Sequence, residues 1–195
     1  MLSSGFLIND IVTEPESIPV YDSGFTFYDV EKIKSTLSES DISLSTPIAI
    51  TDYTSREYCT FFDEQDNRVL VEYCTTTAIL DSDGKTIGNI NIGGTSDSPI
   101  MALAIIDSPK LDSKSAKVKI VFESLIESLV CDCWDELQPG GFESVGVWVD
   151  VATAKYYEST LGTLTSKIDG IGDTKLILEI TTEEDSYLWT LIILK

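Results

Sequence analysis

The chain contains no histidine among its 195 residues. That single absence removes imidazole metal ligands, Ser-His-Asp triads and Cys-His nucleophiles from consideration. Cations are scarce too: 13 Lys and Arg stand against 33 Asp and Glu, a formal charge of −20. A surface of that sign repels phosphate backbones and anionic lipid, so nucleic acid and membrane surfaces are excluded as broad partners. No apolar run approaches the roughly 18 residues that a membrane span requires. The opening residues carry no basic charge ahead of their short apolar stretch, which argues against a signal peptide. With only four cysteines, Cys59, Cys74, Cys131 and Cys133, there is no disulfide framework, and the expectation is four reduced thiols. Cys131 and Cys133 are read as lying on a helix, facing different ways, so no metal site is assigned. The expected location is cytoplasmic or within a virion, not secreted.

What is present describes one α+β domain over 1–195, since 43% apolar residues suffice for a core in a chain of this length. Residues 1–24 form a loosely specified lead-in, interrupted by Pro15, Pro19 and Gly24. Asp29 is placed to cap a helix over 30–37, with Ile33 and Leu37 on one face. Residues 42–50 read as an edge strand broken by Pro47. From Arg68 the pattern alternates, predicting a strand through residue 80, a tight turn at Asp83-Gly84 and a return strand over 86–92. Residues 101–106 are almost continuously apolar, as in a strand buried on both faces.

Val118, Val121, Phe122, Leu125, Ile126 and Leu129 follow at helical spacing, with a stop expected near Pro139-Gly140-Gly141. A strand over 144–151, a short helix over 152–159 and strands over 175–181 and 188–194 complete the prediction. The long helix between 101–106 and 144–151 has the length of a crossover, so those two strands are expected side by side and parallel.

From residue 75 onward this order resembles the GNAT superfamily of N-acetyltransferases. The motifs that carry it are Leu80-Asp81-Ser82-Asp83-Gly84-Lys85 in the hairpin, Ala102-Leu103-Ala104-Ile105-Ile106 in the buried strand, and Ala154-Lys155-Tyr156-Tyr157-Glu158 before Leu161-Gly162. The resemblance implies a mixed, mostly antiparallel sheet with helices on both faces. It implies acetyl-CoA as cofactor, held by Ile105 and Ile106 on the strand and by Lys110, Ser113, Lys114, Ser115, Ala116 and Lys117 at the helix start. Tyr157 becomes the acid that protonates the departing thiolate.

The chain departs from the family at the phosphate loop. The family places glycines there so that backbone N–H groups approach the pyrophosphate; here both positions are serine, Ser113 and Ser115, with Asp112 adding a like charge. Against this, Lys110, Lys114, Lys117 and Lys119 gather at a helix start, where cations are unfavourable unless an anion offsets them. They read either as a neutralising patch or as an anion site. The expected function is a structural or interaction module with a protein partner, similar to GNAT-like internal proteins of short-tailed phages. An active acetyl-CoA-dependent N-acetyltransferase and an acidic nucleic-acid mimic are the alternatives.

Overall fold

A computed structural model describes residues 27–51, 73–94 and 99–195. The predicted strand start at Arg68, the lead-in over 1–24 and Cys59 lie outside the described residues.

Helix α1 (Phe27–Ser38) turns Val30, Ile33 and Leu37 inward, at i, i+3 and i+7. It starts earlier than predicted, so Asp29 lies within it instead of capping it. Pro47 divides the next apolar stretch into β1 (Ser43–Leu44) and β2 (Ile48–Thr51), both antiparallel to β3 (Tyr73–Leu80). A tight turn links β3 to β4 (Thr86–Gly94). Asp81 Oδ1 accepts from the amides of Asp83 (3.0 Å) and Lys85 (2.9 Å), while Gly84 takes φ +75°. β4 returns along β5 (Pro99–Ser108), and Gly88 is required there: a Cβ would lie 2.0 Å from the Ile105 carbonyl oxygen.

Helix α2 (Ser115–Leu129) buries the predicted stripe from Val118 to Leu129. It ends at Leu129, before the predicted stop, and is followed by the one-turn α3 (Trp134–Leu137) and a 3-10 turn at Pro139–Gly141. Then comes α4 (Val145–Glu158), where a strand was expected over 144–151. The alternating valines 145, 147, 149 and 151 imitate a strand, but Ser144 accepts from the Val147 amide at 3.1 Å and caps a helix. Val145, Trp148, Val149, Ala152 and Tyr156 then meet the core at helical spacing. Their burial outweighs the slight penalty of β-branched residues in a helix.

The chain closes with β6 (Thr163–Ile171), β7 (Thr174–Thr182) and β8 (Tyr187–Leu194). β6 was not predicted; its polar run Thr165-Ser166-Lys167 suits an edge strand with one side in water.

The strand order is β1-β3-β4-β5-β8-β7-β6, with β2 also beside β3. Two three-stranded meanders thus join along β5 and β8, which pair Ala102 with Ile193 and Ile106 with Trp189. Every pairing among the described residues is antiparallel. This corrects the expected mixed sheet: with 144–151 helical, β5 has no parallel neighbour and takes β8 instead.

Among the described residues, the helices lie on one face of the sheet. α1, α2 and α4 share one core with Ile90, Ala104, Ile106, Leu178 and Trp189. The opposite face carries a smaller cluster of Cys74, Met101, Leu103, Ile177 and Ile192, which no described helix joins. Among the described residues, no helix is long and apolar enough to cross a membrane.

Candidate functional site

The loop from β5 to α2 holds most of the residues singled out by sequence, and it is folded onto itself. Buried Ser108 donates its hydroxyl to the Lys110 carbonyl at 2.6 Å, and Ser113 donates to the same carbonyl at 2.9 Å. The two hydroxyls lie 2.9 Å apart, and the Ser115 amide donates to the Asp112 carbonyl at 3.3 Å. The Ser113 hydroxyl and the Ser115 amide therefore serve the turn itself.

The lysines are also engaged. Lys114 Nζ donates to the Asp107 carbonyl at 2.5 Å, and partial burial lowers its pKa against the opposing pull of Asp107. Lys117 faces Asp81 at 3.9 Å and Lys119 pairs with Asp150 at 2.6 Å. The amide of Lys85 is the main cause that holds Asp81 below the usual carboxylate range, with Asp83's amide and Lys117 acting in the same direction. Lys110 and Ala116 are exposed.

Ile105 and Ile106 do not converge on this loop. As neighbours in a strand they face opposite ways: Ile106 is fully buried under the helices, and Ile105 packs against the smaller cluster.

Tyr157 does reach the loop. It is 62% exposed near the end of α4, and its hydroxyl donates to Asp112 Oδ2 at 2.6 Å, across 45 residues. That bond holds the phenolic proton and raises the Tyr157 pKa. The buried neighbour Tyr156 instead contacts the Thr182 hydroxyl.

A second cleft, missed by sequence reading, lies at the other end of α2. It encloses about 250 Å³ between Glu123, Glu127, Asp132, Asp135 and Glu136, over a floor of Ile126, Trp134 and Val145. Burial, reinforced by Glu123 and Asp132, raises the Glu127 pKa. The signal was present as a density of acids over 123–136, with Glu123 and Glu127 one helical turn apart.

Cys133 lines this cleft and is disulfide-bonded to Cys131. Cys74 is disulfide-bonded as well. The expectation of reduced thiols is corrected at these three positions. Cys131 and Cys133 are not on a helix but between α2 and α3, and that bend allows one-residue spacing to close a bridge. No group of three or more His, Cys, Asp or Glu among the described residues is arranged to hold a metal ion.

Fold and site together define an α+β protein whose described residues form an antiparallel sheet of two joined meanders, helices on one of its faces, and an acidic cleft beside a disulfide. Comparison with protein-family models, with curated proteins and with solved structures finds no match.

Proposed function

We propose that this protein is an interaction module that binds, through the outward face of α4, a protein whose apolar patch is ringed by Lys and Arg. The observation that carries this reading is that α4 is apolar on both sides. Val145, Trp148, Val149, Ala152 and Tyr156 face the core. Val147, Val151 and Ala154 recur at i, i+4 and i+7 on the other side, where Val147 and Ala154 are exposed and Val151 is half-buried. Tyr157, 62% exposed in the last turn, and Leu161, 81% exposed just past the helix, extend the ridge. An apolar stripe left exposed opposite a helix's core face marks a surface for a partner. Exposed Glu143 and Glu158 stand at the two ends of the ridge in a chain of charge −20, which selects a basic rim on the partner.

The test uses a synthetic amphipathic helix with a leucine stripe and lysine flanks, titrated by intrinsic fluorescence. Saturable binding is expected, weakened by salt and abolished by Val147→Asp with Ala154→Asp. Binding that survives those substitutions reduces the effect to general charge attraction and overturns the reading.

A second reading, an acyl-CoA N-acyltransferase with Tyr157 as acid, is favoured by one observation. The Tyr157–Asp112 bond sets that phenol over the loop containing Lys110, Ser113, Lys114, Ser115 and Lys117. It ranks lower because the Ser113 hydroxyl, Lys114 and Lys117 already have protein partners, and because the phenol gives up its proton less readily beside Asp112. Calorimetric titration with acetyl-CoA decides: submillimolar binding that Lys114→Glu abolishes restores this reading.

A further inference from the structure

The geometry points to the Cys131–Cys133 bridge as a thiol–disulfide exchange site, which oxidises dithiols carried on a positively charged partner and disfavours anionic thiols.

A role as a structural staple explains the bridge poorly. Only Asp132 separates the two cysteines, and a crosslink closing so short a loop removes little entropy from the unfolded chain. The segment is also held without it. The amides of Val130 and Cys131 both donate to the Ile126 carbonyl, at 2.9 and 3.1 Å, and the Leu137 amide donates to the Cys133 carbonyl at 3.0 Å. Trp134 Nε1 donates to the Phe142 carbonyl at 3.0 Å and its ring stacks on Trp148. Both cysteines are half-buried, so neither is sealed from solvent.

The cleft supplies direction and selectivity. Cys133 lines it, whereas Cys131 does not. An incoming thiolate therefore meets the Cys133 sulfur, forms a mixed disulfide there and expels the Cys131 sulfur, which takes a proton from water. The second thiol of the partner then attacks the mixed disulfide and releases the Cys133 thiol. The partner dithiol loses two electrons and two protons to become a disulfide, and the protein gains them as two thiols. Glu123, Glu127, Asp132, Asp135 and Glu136 surround the approach, so a negatively charged thiol is repelled and a cationic one drawn in.

The experiment treats the intact oxidised protein with cysteamine, 2-mercaptoethanol and glutathione at matched thiolate concentration and low ionic strength. Alkylation and mass mapping of the 120–155 peptide follow the 131–133 bridge separately from any other. Cysteamine should react fastest and glutathione slowest, about tenfold or more apart. Molar salt should collapse that spread, and Glu127→Gln with Asp135→Asn should narrow it. Cys131→Ser leaves Cys133 as a lone thiol, which should attack added cystamine, keep one cysteamine as a mixed disulfide and release the other as free thiol, with an unchanged thermal midpoint. The proposal is overturned if the bridge resists all three thiols until the protein unfolds, if the order ignores charge, or if Cys131→Ser markedly lowers the midpoint. The kinetics of the unsubstituted protein decide by themselves should that variant fail to fold.

Discussion

The two ends of α2 are built on opposite plans. At its N-terminus Lys114, Lys117 and Lys119 each meet an oxygen of another element: the Asp107 carbonyl, the Asp81 carboxylate and the Asp150 carboxylate. At its C-terminus Glu123 and Glu127 line one cleft with Asp132 and Asp135, and burial, with the neighbouring acids adding to it, raises the pKa of Glu127. The sequence drew attention to the lysines because cations are rare here, yet it is among the abundant acids that like charges crowd, with Lys32 opposing them at Glu127. Rarity marks a residue out; whether its charge is answered depends on neighbours far away in the chain.

Substitutions at the two ends should differ most where burial differs most. Trp134→Ala removes the buried ring that floors the acidic cleft, with its stacking on Trp148 and its bond to the Phe142 carbonyl. A loss of about 3–5 kcal/mol in denaturant unfolding is expected. A loss below about 1 kcal/mol would show that α3 is not anchored by this ring.

At the opposite end, Asp81→Ala strips the hairpin turn of the acceptor for two amides and Lys117 of its partner, and the thermal midpoint should fall by less than for Trp134→Ala. The Asp81 pKa is lowered in the folded state, so its stabilising contribution exists above the ordinary carboxylate value and fades as pH falls through the folded value. The deficit of the variant should accordingly shrink in acid. A deficit independent of pH would assign the effect to the turn's shape alone.

Glu127→Gln should act in the other direction. A raised pKa means that the folded protein holds this proton more readily than the unfolded chain; the resulting stability is present below the unfolded value and lost as pH rises through the folded one. At neutral pH the variant should therefore unfold at a slightly higher temperature, a gain below about 1 kcal/mol after solvent screening. Below the carboxylate range the two proteins should coincide. A loss of stability at neutral pH would break the contrast between the two ends.

The smallest effects belong to the lysine end. Lys119→Ala, at a pair where Asp150 is 60% exposed, should cost less than about 1 kcal/mol, and the cost should vanish in molar salt. Tyr157→Phe should leave the unfolding midpoint nearly unchanged while releasing Asp112.

Local pattern was enough wherever one short segment contained its own reason. The α2 stripe, the turn built on Asp81 and Gly84, and the apolar runs of β7 and β8 were all legible, because each rests on spacing within about ten residues. The candidate site was legible only as a list. The loop 108–115 appeared in sequence with the right residues, but nothing local showed that its hydroxyls turn toward the Lys110 carbonyl. Nor could spacing connect Tyr157 to Asp112, since no pattern relates residues 45 apart.

Composition and periodicity alone determined an acidic α+β chain without imidazole chemistry, its long central helix and its first hairpin. Tertiary structure decided that 145–158 is helix, that 163–171 is an edge strand, and that β5 pairs with β8 instead of with a parallel neighbour. The reason lies in relative energies. Helix and strand propensities of a valine-rich segment differ by a fraction of a kcal/mol per residue, whereas burying Trp148 or Trp189 contributes about 2 kcal/mol or more. Which side chains are buried is settled only when distant segments meet.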